Sequence, residues 1–136
     1  AIVRGRFRED SGTVSAPIGR HPTDRKRMAV STRDGARNAV THWEVLQRWE
    51  AYTHLLCRLE TGRTHQIRVH MAHIGHPVLG DMVYGRGAEK GLEGQCLHAR
   101  RLKFIHPRSG ERIVLEAPLP EYFCEVIRKL GAPEGD

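Results

Sequence analysis

Residues 39–75 read AVTHWEVLQRWEAYTHLLCRLETGRTHQIRVHMAHIG, and the change in apolar spacing within this run decides the fold. From Ala39 to Trp49 the chain alternates. Ala39, Thr41, Trp43, Val45, Gln47 and Trp49 form a mostly apolar set carrying both tryptophans, against Val40, His42, Glu44, Leu46 and Arg48. A period of two is that of a strand with one buried face, so the tryptophan set is expected to face the core. Residues 52–60 alternate again, His54, Leu56, Arg58 and Glu60 against Thr53, Leu55, Cys57 and Leu59. Glu50-Ala51 between the two runs predicts a tight antiparallel hairpin. The period then changes. Ile67, Met71 and Ile74 recur at i, i+4 and i+7, which is the apolar stripe of a helix. The helix is predicted over 64–74, with Thr64 as N-cap and Gly75 as a left-handed C-terminal cap, and Pro77 forbids continuation.

Outward from this run, residues 1–7 read as a short strand and 9–12 as a turn cluster. Residues 16–27 form a basic loop whose two prolines keep it out of a helix or central strand. Met28 to Ser31 is expected to be an edge strand, and Asp34-Gly35 a turn. After a Gly-rich loop at 86–95, strands are predicted at 97–105 and 111–116, joined by a turn at 106–110. Residues 121–130 are predicted as an amphipathic helix with Phe123, Val126, Ile127 and Leu130 inward, and the tail 131–136 as frayed. The fold class is α+β, a mostly antiparallel or mixed sheet with two helices.

A chain of 136 residues is one domain or part of one. At that length it buries about two-thirds of its unfolded surface. The formal charge of +6, with a pI near 9.7, fits a polyanionic partner, although a solvated basic face gives the same totals. Cys57, Cys96 and Cys124 are odd in number and widely spaced, with no CxxC pair, so a disulfide framework or zinc ribbon is not expected. A reducing cytoplasm is the simplest setting. No apolar window approaches the length of a membrane span.

Between positions 63 and 70 stand two arginines, two histidines and a glutamine, at the junction of the predicted strand and helix. A helix N-terminus attracts phosphate, and Arg63, Thr64 and His65 lie beside it. Gln66 both donates and accepts, which suits a base edge or a ribose, and His70 adds a further donor on another face. Each also has a structural reading: Arg63 snorkelling over the sheet, His65 and His70 as satisfied histidines, Gln66 as a helix-surface residue. Arg68 lies at the edge of the apolar stripe. A partly buried guanidinium left unpaired costs several kcal/mol, on the order of 3–5, and the helix holds no acid to serve it, so a partner from elsewhere is expected. Asp81 is read as a turn or cap residue and Tyr84 as a packed aromatic with its hydroxyl tied off. In the loop at 20–27, Arg25, Lys26 and Arg27 are candidate phosphate contacts, or else a solvated charge run.

Gly62-Arg63-Thr64-His65-Gln66-Ile67-Arg68-Val69-His70, followed by Gly75-His76-Pro77, Gly80-Asp81 and Tyr84-Gly85, resembles the third motif region of RNA pseudouridine synthases, in the branch acting on large-subunit ribosomal RNA. Residues 16–22 resemble the segment after that family's tyrosine motif. Leu97-His98-Ala99, Leu102, His106-Pro107 and Ala117-Pro118 resemble its closing strands, so the likeness runs to about residue 120. The resemblance implies isomerisation of uridine to pseudouridine on a flipped-out nucleotide, with no metal or organic cofactor. It implies that Arg68 pairs with the family's essential aspartate and that Ile67 lines the uracil pocket. That aspartate belongs to a His-Arg-Leu-Asp segment, which this sequence does not contain, and the base-stacking tyrosine has no counterpart here either. Asp24, in His21-Pro22-Thr23-Asp24, is read as a loop acid. The chain, 1–136, is therefore expected to be the C-terminal portion of one catalytic domain, unable to isomerise uridine alone, with Arg68 held toward an acid it does not contain.

Two other readings compete. One is a non-catalytic RNA-binding module that keeps the basic face. The other is a metal hydrolase built on His65, His70, His73 and His76, but no HExxH and no acid in ligand register supports a metal.

Overall fold

A computed structural model describes residues 1–132. The hairpin that opens the sequence argument is its centre. β5 (Val40–Arg48) and β6 (Tyr52–Leu59) pair antiparallel across Glu50-Ala51, and the loop is closed by Trp49 N–H donating to the Tyr52 carbonyl at 2.9 Å. β1 (Ile2–Arg4) adds to the outer edge of β6, and β2 (Ser11–Ser15) to that of β5. The result is a four-stranded antiparallel sheet in the order β1-β6-β5-β2. Two ribbons complete the strands: β3 (Ile18–Arg20) with β4 (Met28–Val30), and β7 (Arg101–Ile105) with β8 (Arg112–Glu116). The helices are α1 (Gln66–His73) and α2 (Glu121–Leu130). The α+β class holds, and every strand pair among the described residues is antiparallel.

Alternation gives the sheet two faces, and each is covered. Val3, Val14, Leu55 and Cys57 pack with Ile67 and Met71 of α1 and with Ile74 at its C-cap. Ile2 and Tyr52 pack with Phe123, Val126, Ile127 and Leu130 of α2, together with Leu79 and Cys96. Val69 turns from the sheet toward Ile18, with Met28 and Val30 alongside, so α1 is wedged between the sheet and the β3-β4 ribbon. Burying a side chain of the size of Met71 or Phe123 contributes roughly 1.5–3 kcal/mol.

The structure departs from the sequence reading in four places. A β-bulge between Val45 and Gln47 shifts the alternation, so Arg48 pairs with Thr53 and turns inward, 7% exposed. There its Nε donates to the Phe7 carbonyl, and Nη2 meets Asp10 at 2.6 Å. Residues 11–15, read partly as a turn, are β2, and β3 lies inside the expected loop. Its Pro17 precedes the first ladder residue, where a missing N–H costs no pairing. The strand predicted from Leu97 begins at Arg101. Finally, α1 starts later than expected. His65, not Thr64, stands at its N-cap, left-handed at φ 56°, while Gly75 takes the left-handed C-terminal position as predicted, at φ 87°. The expected fraying of the tail beyond residue 132 lies outside the described residues.

Candidate active site

Arg68 stands in the middle of α1 and is 8% exposed. Its Nε donates to Asp81 Oδ2 at 2.8 Å and its Nη2 to Asp81 Oδ1 at 3.0 Å, a bidentate pair that matches fork to carboxylate. The partner expected from elsewhere in the fold is thus Asp81, an internal carboxylate that meets two of the guanidinium nitrogens. Nη1 makes no hydrogen bond among the described residues. Asp81 has no exposed surface, and its Oδ1 also accepts the backbone N–H groups of Val83 and Tyr84, both at 3.0 Å. Burial pushes the Asp81 pKa upward. The Arg68 guanidinium and the two N–H groups outweigh it and hold the carboxyl below its ordinary value. Reciprocally, the Asp81 hydrogen bonds raise Arg68.

The residue that organises this site is Tyr84. Its ring lies beside the Arg68 guanidinium, 5.1 Å from centroid to Cζ, and beside Arg27 at 5.5 Å, distances typical of cation–π contact. Its hydroxyl accepts the Met28 N–H at 2.9 Å and shares a hydrogen bond with His65 Nδ1 at 2.8 Å. One phenol thus ties β4, at the end of the basic loop, to the start of α1. It also explains His65. A left-handed histidine costs about 1–2 kcal/mol, and here that conformation presents the ring to Tyr84. Burial first, then the Arg68 charge, lowers the pKa of His65.

The candidates named from sequence fall into four groups. Arg68, His65 and Arg27 converge on Tyr84. Arg25, Lys26 and Thr64 are exposed, and Arg63 donates from Nε to the Asn38 carbonyl at 2.9 Å. Gln66 and His70 turn inward, which corrects their assignment as RNA contacts. Gln66 Oε1 accepts from Thr61 Oγ1 and from Arg63 N–H, while Nε2 donates to the Val40 carbonyl and Thr41 Oγ1. All four of its hydrogen-bonding positions are filled. Its reach back to the Arg63 N–H ties the first helical residue to the turn that precedes the N-cap, so Gln66 rather than Thr64 secures this helix end. His70 has no exposed surface, lies between Thr41 Oγ1 at 2.8 Å and the Ala16 carbonyl at 2.9 Å, and has its pKa lowered by burial. Ile67 is half-buried against the main core. The histidines of the metal reading do not meet: His65 faces Tyr84, His70 faces Thr41, and His76 bonds the Arg4 carbonyl.

Asp81 and Tyr84 were legible only as a turn and a packed aromatic, yet a signal was present. Between Glu60 and Asp81 the sequence holds no acidic residue, so Asp81 is the next carboxylate along the chain that could answer Arg68.

The chain belongs to the RNA pseudouridylate synthase family, whose model matches residues 1–73. Among its relatives, the uncharacterised RNA pseudouridine synthase YlyB of Bacillus subtilis (strain 168) is 54% identical over 96% of this chain and 42% of its own length. The ribosomal large subunit pseudouridine synthase D of Xanthomonas campestris pv. campestris is 53% identical over 89% of this chain and 40% of its own. The chain thus spans about two fifths of the length of these curated relatives. Human RNA Pseudouridylate Synthase Domain Containing 1 superposes with a TM-score of 0.73 at 27% identity, covering 100% of this chain and 66% of that one.

Proposed function

We propose that residues 1–136 are the C-terminal portion of the catalytic domain of a cytoplasmic RNA pseudouridine synthase whose substrate is large-subunit ribosomal RNA. Family membership and the naming of several relatives as large-subunit enzymes support this reading. The observation that carries it to residues is Arg68. Two of its nitrogens are fixed by Asp81, and Nη1 remains for the reacting aspartate, which the His-Arg-Leu-Asp segment of the full-length protein supplies.

In the proposed reaction the uridine is flipped out of its stack, which gives access to atoms that a helix hides. The bond from C1′ to N1 breaks, the base turns, and C1′ bonds to C5. The C5 proton leaves and N1 gains one, so atoms balance with no cofactor or metal. Arg68 keeps the reacting aspartate ionised by placing a positive charge beside it. Ile67 lines the uracil pocket. His65, Thr64, Arg63 and the loop residues Arg25, Lys26 and Arg27 contact RNA phosphates.

The test uses ribosomal RNA lacking the modification. The full-length protein is expected to form pseudouridine, detected by mass spectrometry of digested RNA, and the 136-residue chain none. Turnover by the 136-residue chain would refute the assignment of the reacting acid to the upstream part. No product with the full-length protein on any large-subunit RNA would refute the synthase reading itself.

A further inference from the structure

We propose that Asp81 and Tyr84 are positioning residues that immobilise Arg68 with Nη1 as its outward donor; the inference rests on the synthase reading above. A guanidinium has three nitrogens and two faces. Asp81 takes the edge formed by Nε and Nη2, at 2.8 and 3.0 Å. Tyr84 lies against the group, and its own ring cannot swing away, because its hydroxyl is held from both β4 and the start of α1. Asp81 is fixed in turn by the Val83 and Tyr84 N–H groups on Oδ1. The surrounding backbone is close-fitting. A Cβ at Gly80 would stand 2.4 Å from the Gly94 carbonyl oxygen, and one at Gly85 would stand 2.6 Å from the Asp81 carbonyl oxygen. Gly80 also needs its left-handed φ of 79°.

A guanidinium left to a flexible four-bond stem samples many orientations, and immobilising it costs conformational entropy. Here that ordering is complete before substrate arrives. The same phenol touches the basic loop through Met28 and Arg27, so displacement of that loop disturbs the Arg68 clamp directly.

Asp81→Asn separates this role from plain turn capping. Its Oδ1 can still accept the Val83 and Tyr84 N–H groups, but an amide N–H then faces Arg68 Nε, donor against donor. In the full-length protein the single-turnover rate constant is expected to fall about a hundredfold, the cost of an ångström-scale misplacement. RNA affinity should change by less than about threefold, because the loss is confined to the transition state. The acid limb of the pH–rate profile should move to higher pH, because the displaced guanidinium no longer stands beside the reacting aspartate, a shift opposite in sign to that from simple loss of the Asp81 charge. Phe123→Leu, on the opposite face of the sheet, serves as a destabilised control and should leave that limb in place. Tyr84→Phe keeps the ring and removes the hydroxyl. It should give a smaller rate loss with the same limb shift, and it decides the matter if Asp81→Asn does not fold. A rate loss in these variants with an unmoved acid limb, or no rate loss at all, overturns the positioning role while leaving the synthase reading intact. An inactive wild-type protein overturns both.

Discussion

A carboxylate with no exposed surface survives only if its charge is met on every side, and Asp81 satisfies that with one guanidinium and two backbone N–H groups. Removing it leaves Arg68 buried and alone. Asp81→Ala is expected to destabilise the fold by about 3–5 kcal/mol, read from urea denaturation, because the unpaired partner carries the penalty. The sequence shows why an acid is needed but not which one: the twelve residues between Arg68 and Asp81 cross a helix end, a proline and two turns, and side-chain chemistry alone cannot register them. Arg48 illustrates the opposite case. Its place in the period-two pattern is unambiguous, and the bulge before Gln47 inverts it. A bulge is a backbone event, and the residues around it carry no glycine or proline to announce it.

At the scale of elements, the long periodic segments were legible, since β5, β6, α1 and α2 each carry several repeats of their period. The short strands β2 and β3 are three to five residues long, and β2 gains its order from β5, far away in sequence, so local pattern is weak there. The start of α1 was misread because a glutamine side chain, not a threonine, secures it. That end is cross-linked to the sheet through a buried polar triangle of Gln66, Thr41 and His70. Thr41→Val keeps the shape and removes one hydroxyl that serves both neighbours. It is expected to lower stability by about 1–3 kcal/mol by leaving His70 Nδ1 and one Gln66 donor position unmet in the interior. Chemical denaturation checks this, and a change smaller than that range would mean that the triangle is not a determinant of the helix start.

At the scale of the whole molecule, charge and protonation set two solution behaviours. Burial first, then the Ala1 ammonium, lowers His54 to about 4, and His54 is packed 5.3 Å from the Phe123 ring. Its folded value lies below the unfolded one of about 6.5, so the unfolded chain takes up the proton first as pH falls. Stability is therefore complete above about 6.5 and declines toward 4, by about 2 kcal/mol at pH 5 from this group. His54→Leu should flatten that window. Asp81 acts lower: its depressed value gives stability above the ordinary carboxylate range that is lost as pH falls through and below it. The second behaviour follows from the net charge of +6. If Arg25, Lys26 and Arg27 contact phosphate, neutralising all three should reduce the slope of log affinity against log salt by about 2–3 in RNA binding. An unchanged slope would remove this loop from the interface.

The β7-β8 ribbon is paired, among the described residues, only with itself, and its ten residues are exposed apart from Ile113. An isolated two-stranded ribbon is marginal in water, whereas the α2 that follows it is anchored against Ile2 of β1 and Tyr52 of β6. The covalent path between the sheet and its last helix therefore runs through the part of the molecule that opens most easily. A protease cutting at 106–110 would sever the backbone without releasing either piece, and the nicked protein would migrate as one particle until a denaturant separated its halves.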